Sequence, residues 1–113
     1  MRPGRLKERV AFQRRSAGTD EFGNTDVGDW ETQFERPAQF LMRPGSETYQ
    51  AARLQGVQPL RVVVRLDPET GSVTPEWRLV DLRQNRVLEI TAAADMDRRG
   101  MWWTMECTAG GAA

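Results

Sequence analysis

The segment Leu60-Arg61-Val62-Val63-Val64-Arg65-Leu66 decides the fold class of this 113-residue chain. Every even position in it is apolar, whereas two of its three odd positions are arginine. Successive side chains of a β-strand point to opposite faces, so this alternation predicts a strand with one buried face. It is the clearest strand in the sequence.

The same period of two recurs on both sides of this segment, in residues 6–13, 30–40, 77–82, 86–93 and 101–107. Pro37 interrupts one of these strands, and because proline cannot donate to a ladder it marks an edge or a bulge. Six short strands predict an all-β fold, a small antiparallel β-barrel or sandwich.

Strand parity also predicts which side chains share a face. We expect one face of the second strand to hold Trp30, Thr32, Phe34, Arg36, Ala38 and Phe40. We expect one face of the fifth to hold Leu88, Ile90 and Ala92. Gln84-Asn85 lies between two strands and predicts a tight hairpin, because asparagine tolerates a positive φ.

One segment, Met42–Pro59, is long for a loop of a compact domain, and such loops are usually functional or disordered. Ser46 could cap a short helix inside it, which Gly56 would end. The remaining chain predicts a single domain over residues 1–107, followed by a disordered tail of small residues over 108–113.

Charge and composition exclude several classes of protein. The 16 basic and 16 acidic residues balance, which argues against a general nucleic-acid binder with a basic surface. No apolar run approaches the length of a membrane span, and we expect neither a membrane partner nor a signal peptide. A single cysteine, Cys107, permits no internal disulfide and fits a reducing cytoplasm.

The residues that usually carry catalysis are missing. The chain has no histidine, so its serines have no imidazole to activate them. Asp95 and Asp97 are two apart, but Arg98 and Arg99 follow them and would compete for the carboxylates. Cys107 ends a strand on its apolar parity, which predicts a buried, unreactive thiol. We therefore expect no enzymatic activity, no cofactor and no metal.

Aromatic and arginine residues indicate an assembly component instead. Trp102 and Trp103 are adjacent, so they point to opposite faces of a strand, and parity assigns Trp103 to the core. The other tryptophan is then exposed, covered by a partner, or packed under the turn that contains Arg98 and Arg99. Tryptophan and arginine are both enriched at protein interfaces.

The order of short motifs along the chain carries a resemblance. These motifs are Gly4-Arg5-Leu6, Arg9-Val10-Ala11-Phe12-Gln13-Arg14, Asp20-Glu21-Phe22-Gly23-Asn24, Trp30, Ala38-Gln39-Phe40, Gly45-Ser46-Glu47, Ala52-Arg53, Arg61-Val62-Val63-Val64-Arg65, Arg78, Asn85-Arg86-Val87-Leu88-Glu89-Ile90 and Trp103-Thr104-Met105-Glu106-Cys107. Over residues 4–107 the succession resembles the head-tail joining, or head-closure (stopper), family of tailed bacteriophages and gene transfer agents.

The resemblance implies a small β-barrel that assembles as a homo-oligomeric ring in the neck of a phage or phage-like particle, after assembly in the bacterial cytoplasm. Such a ring docks beneath the portal or its adaptor, closes the channel over packaged double-stranded DNA, and presents a face to the tail terminator or tail tube. The long loop then reaches the channel and presents Arg43, Glu47 and Arg53. The expected subunit or partner contacts are Phe22, Arg98, Arg99 and Trp102.

Two alternatives remain open at this stage. The chain could be another connector or tail ring component, such as an adaptor or a tail terminator, although an adaptor would be mainly helical. It could also be a small β-barrel that binds single-stranded nucleic acid, which would place aromatic side chains in a basic groove. Its zero net charge opposes the second alternative.

Overall fold

The structure, a computed structural model, describes residues 6–19, 25–41, 58–96 and 98–112, with side chains for 6–16, 28–41, 58–96 and 98–109. Six strands form in the regions that sequence alternation predicts: β1 Glu8–Thr19, β2 Thr25–Leu41, β3 Gln58–Arg65, β4 Arg78–Asp81, β5 Arg86–Ala94 and β6 Trp102–Ala112. They close into an antiparallel barrel in the order β1-β2-β3-β6-β5-β4. The predicted all-β fold is confirmed, and of the two predicted architectures the structure is the barrel.

The core fills the inside of this barrel. Its fully buried members come from every strand and include Phe12, Val62, Val64, Leu79, Leu88 and Met105. The strand that decided the fold class behaves as its alternation predicts, since Leu60, Val62 and Val64 all belong to the core cluster. Removal of these apolar side chains from water is the main force that holds the barrel closed.

The β3–β4 connection plugs one end of the barrel with a short 3₁₀ helix, Thr70–Ser72. The Asp67 carboxylate accepts hydrogen bonds from the backbone N–H groups of Glu69 and Thr70, both at 2.8 Å. Val73 and Trp77, which follow the helix, are buried in the core cluster. The ordered turn therefore places two apolar side chains across the opening.

The β1–β2 hairpin extends beyond the barrel at this plugged end. β4 pairs with β1 only at Val10–Gln13, and β3 pairs with β2 only at Gln39–Leu41. Residues 14–19 and 25–31 form the projecting part, which we call the arm. The β5–β6 turn, residues 95–101, lies at the same end, because β5 leads into it and β6 leaves it. We call this the arm end.

The far end of the barrel holds the other connections. The tight β4–β5 turn, residues 82–85, lies here, and Asn85 adopts a φ of 52°. This confirms the hairpin predicted at Gln84-Asn85. Leu41 ends β2 and Gln58 begins β3 at this same end.

Two sequence predictions about chain segments need correction. Residues 108–112, predicted as a disordered tail, continue β6, with Thr108 paired to Pro59 and Ala112 paired to Arg86. Gln58 and Pro59 belong to β3 rather than to the predicted loop. The predicted helix near Ser46 lies outside the described residues.

Candidate functional site

A β-bulge on β2 creates the most distinctive surface of the barrel. Phe12 pairs with Phe34, but the next residue, Gln13, pairs with Thr32, so Gln33 is an extra residue. The extra residue moves Thr32 and Trp30 to the face opposite Phe34. Phe34 packs against the core, whereas Trp30 lies outside it. The prediction that Trp30, Thr32 and Phe34 share one face was therefore wrong.

Trp30 lies on this outer face, and two arginine side chains pack over its ring. The guanidinium of Arg15, its cross-strand partner on β1, lies 4.8 Å from the ring centroid, and that of Arg78 on β4 lies 4.6 Å away. Both distances are within the range of a cation–π interaction. Three strands thus hold one aromatic ring and two positive charges together. We call Arg15, Trp30 and Arg78 the arginine–tryptophan cluster.

Hydrogen bonds fix the orientation of this cluster. Arg78 Nε donates to Gln13 Oε1 at 2.7 Å, and Gln13 Nε2 donates to Thr32 Oγ1 at 3.1 Å. Burial and the nearby charge of Arg15 both lower the pKa of Arg78. No ion pair between described residues involves Arg15 or Arg78. The cluster is held by aromatic and amide groups rather than by carboxylates.

A surface groove of about 450 Å³ adjoins the cluster, and its lining includes Pro75, Trp77, Val87 and Glu89. The sequence analysis did not identify this site. Its residues are far apart in the chain, and strand parity placed Trp30 on the core face. Trp30 lies on the outer face only because of the bulge. Apart from Pro37, the sequence carries no signal for an irregularity in β2.

The β5–β6 turn at the arm end exposes the predicted contact residues Arg98 and Arg99. Asp95 Oδ2 accepts a hydrogen bond from the Gly100 N–H at 2.8 Å, and Arg98 has a φ of 57°. Met96 and Met101 flank the turn and are 39% and 51% exposed. Two arginines and two exposed methionines therefore project together from this end. Exposed apolar side chains beside charges are typical of interaction surfaces.

The far end carries a polar network instead. Arg86 Nε donates to Asp81 Oδ2 at 3.1 Å, and Arg86 Nη1 donates to Gln58 Oε1 at 2.8 Å. Gln58 follows the predicted channel loop, so this network fixes the point at which that loop re-enters the barrel. Arg43, Glu47, Arg53 and Phe22 lie outside the described residues.

The structure corrects the assignment of Trp102 as an exposed contact residue. Its side chain is 4% exposed within the single chain, and the Arg65 guanidinium lies 5.2 Å from its ring centroid. Trp102 does point away from Trp103, as adjacent strand residues must. The outer face of the barrel is covered here, however, and Thr104 on the same face is also buried. Trp102 therefore belongs to the packing of this chain.

The described residues contain no group of three potential metal ligands. Cys107 is buried, and burial together with the charge of Glu106 raises its pKa to about 12. Its thiol is therefore protonated and a poor nucleophile near neutral pH. None of the described helices has the length and apolar character needed to cross a membrane.

Known proteins show similarity over almost the whole chain. A family model described as phage head completion protein matches residues 1–110. A chain from the virion of a native gene transfer agent particle has a TM-score of 0.65 at 23% identity, over 99% of this chain and 100% of that chain. A Shigella flexneri 2a protein solved in solution has a TM-score of 0.73 at 21% identity, over 97% of both chains. The two structural similarities show a common fold. No curated protein sequence matches the chain.

Proposed function

The chain belongs to the phage head completion protein family, and we propose that it forms a ring which closes the DNA channel after packaging. Membership makes it a structural component of a phage or phage-like particle, associated with the virion. The proposal adds the ring, the portal or adaptor as its head-side neighbour, and the tail terminator or tail tube on the other side. The family match over residues 1–110 is the observation that carries it.

The distribution of groups over the barrel supports a two-ended connector. The arm end exposes Arg98 and Arg99 with two methionines, whereas the far end holds both flanks of the long loop, Leu41 and Gln58. A loop that leaves one end and a contact surface at the other allow one subunit to serve two neighbours. We propose that the loop presents Arg43, Glu47 and Arg53 to the channel, where repeated cations would contact DNA phosphates.

The described residues give less support to the alternatives. An adaptor would be mainly helical, whereas these residues form a six-stranded barrel. A single-strand binder needs open aromatic faces on which bases can stack. Here Trp30 already carries two guanidinium groups and Trp102 is buried. We therefore propose that the contacts of the chain with nucleic acid are limited to duplex DNA in the channel.

The test replaces residues 46–56 by a short Gly-Ser linker in particles that carry this protein. Loop-closure entropy depends weakly on length, so the barrel should fold. The variant is expected to join the particle while packaged DNA escapes, measured as the fraction of DNA-filled heads. Full retention of DNA would overturn the closing role, and failure to join the particle would assign the loop to subunit packing.

A matched control changes the opposite end of the barrel. The double variant Arg98→Ala, Arg99→Ala removes two exposed side chains and leaves the loop intact. It is expected to lower the fraction of heads joined to their neighbouring component without releasing DNA from those that are joined. Equal DNA loss from both variants would argue against separate roles for the two ends.

A further inference from the structure

The arm has two unpaired strand edges. Beyond Gln13, β1 has no partner other than β2, and before Gln39, β2 has no partner other than β1, among the residues that the structure describes. The barrel itself closes through the pairs of β1 with β4 and of β2 with β3. An unpaired edge presents a row of backbone N–H and C=O groups that can pair with another chain. The arm is therefore a described part of this sheet that is open to strand addition.

The two edges of the arm carry opposite charges. Arg14 and Arg15 lie on β1, whereas Asp29 and Glu31 lie on β2. None of these four side chains takes part in an ion pair with another described residue, although Arg14 and Glu31 are cross-strand neighbours. One edge is thus basic and the other acidic. The guanidinium groups of Arg14 and Arg15 lie over the rings of Trp77 and Trp30, which leaves their positive charge without a described carboxylate partner.

We propose that the arm pairs edge to edge with the arm of a second copy of this chain, β1 of one copy against β2 of the next. Because β1 and β2 run antiparallel, copies that share one orientation bring these two edges together in an antiparallel ladder. Arg14 and Arg15 of one copy then lie beside Asp29 and Glu31 of the next. Opposite charges on neighbouring strands stabilise such pairs.

Charge also decides between the two possible symmetries. Pairing of β1 with β1, or of β2 with β2, would build a two-fold dimer and place like charges opposite each other, which is destabilising. Pairing of β1 with β2 uses two different surfaces and can continue from copy to copy until a ring closes. The inference thus names the subunit contact of the ring and rests on the proposed function for its assembly.

Cysteine trapping between purified chains tests the contact without DNA or particles. Ser16→Cys marks the β1 edge, and Asp29→Cys, Trp30→Cys or Glu31→Cys marks the β2 edge; Ser16, Asp29 and Glu31 are exposed and Trp30 is half-buried. An antiparallel ladder that sets Arg14 and Arg15 beside Asp29 and Glu31 brings position 16 level with these β2 residues. The native Cys107 is buried and does not interfere. Under mild oxidation, a mixture of a β1 and a β2 variant is expected to yield disulfide-linked dimers, and each variant alone far fewer.

Charge variants make the test specific to the proposed edges. In the β1 chain, Arg14→Glu with Arg15→Glu should lower the yield of trapped dimer about fivefold, because like charges then face each other. In the β2 chain that carries Trp30→Cys, Asp29→Arg with Glu31→Arg should restore it. Circular dichroism of each variant checks that the barrel is folded. Recovery of the yield with exchanged charges would itself show that both variants fold.

Two results would overturn the inference. The first is the absence of cross-strand dimers at all three β2 positions in folded protein. The second is equal trapping by single variants and mixtures, which indicates a two-fold contact. Neither result bears on channel closure, which is measured as DNA retention in particles, so the edge contact and the proposed function can fail separately.

Discussion

Asp81 and Arg86 form an ion pair of 3.1 Å inside the far end of the barrel, where the Asp81 side chain is only 1% exposed. The Asp81 carboxylate also accepts a hydrogen bond from the Arg83 N–H at 3.0 Å, within the β4–β5 turn. One buried carboxylate therefore joins the last residue of β4, the turn and the first residue of β5. The pair substitutes for apolar core at this opening and holds the two strands in register.

Asp81→Ala is expected to lower the free energy of unfolding by about 3–5 kcal/mol, because it leaves the half-buried Arg86 guanidinium without its carboxylate. Urea denaturation followed by circular dichroism measures the change. Glu35→Ala is the matched control, since the Arg9–Glu35 pair is exposed and its loss should cost less than about 1 kcal/mol. Equal effects of the two substitutions would contradict the structural role of Asp81.

The stability of the folded chain is expected to depend on pH through the ionisation of Asp67, which lies at the arm end. Burial opposes its charge, but hydrogen bonds from the Thr70 and Glu69 N–H groups and the Arg36 guanidinium outweigh it, so the pKa of Asp67 lies below 3.8. A lowered carboxyl pKa stabilises the folded chain above the unfolded-state pKa, and this stability is lost as pH falls through the folded-state pKa.

Asp67→Asn should therefore destabilise the barrel at pH 7 and flatten the acid limb of its stability curve below about pH 4. Thermal unfolding between pH 7 and pH 2 measures both effects. Glu76→Gln is the control, because Glu76 is exposed and forms no ion pair with any described residue. An acid limb as steep as that of the unmodified chain would show that Asp67 does not contribute.

Gly28 is required by the packing of the arm. A Cβ at this position would lie 2.2 Å from Ser16 Oγ and 3.0 Å from the Ser16 carbonyl oxygen. Gly28→Ala should force the two strands apart and increase amide hydrogen exchange in the arm, with little change in the barrel. Gly71→Ala is the control, since its Cβ would meet only the end of the flexible Leu66 side chain, at 3.1 Å. Unchanged exchange in the arm would contradict this role.

Asn85 shows what the sequence predicts well. Its φ of 52° is a conformation that β-branched residues avoid, and the Gln84-Asn85 pair between two alternating segments pointed to it. Asn85→Val should cost about 1–2 kcal/mol in unfolding free energy, whereas Asn85→Gly should be tolerated. Differential scanning calorimetry of the two variants distinguishes them. Similar melting temperatures for both would mean that the turn relaxes to a negative φ.

The alternation of strand residues predicted the barrel correctly. The faces that it assigned to side chains were wrong at two places where a bulge adds a residue. The extra residue at Gln33 moves Trp30 to the outer face, and one at Thr91 exposes Ala92 and turns Ala93 toward the core. Period-two reasoning assumes an unbroken ladder, so a single insertion reverses every face that follows it. The arginine–tryptophan cluster could not be predicted for this reason.

The prediction of a disordered tail at the end of the chain was wrong for a different reason. Residues 108–112 are small and include Gly110 and Gly111, which have low intrinsic strand propensity. Their pairing with β3 and β5 depends on two neighbours that lie far away in sequence. Local propensity carries no information about such distant partners, and tertiary pairing overrides it. The same limit applies to Trp102, which is covered on the outer face of the barrel.

Trp102 provides the sharpest test of the difference between a core and a contact residue. A buried large aromatic costs about 3–5 kcal/mol when truncated, so Trp102→Ala should strongly destabilise the isolated chain. Arg65→Ala, which removes only the cation above the ring, should cost about 0.5–1 kcal/mol. Urea denaturation of the purified protein measures both, and Trp102→Phe should retain most of the stability. If Trp102 instead served a partner, Trp102→Ala would unfold at the same urea concentration as the unmodified chain, and the defect would appear only in the fraction of protein that joins particles.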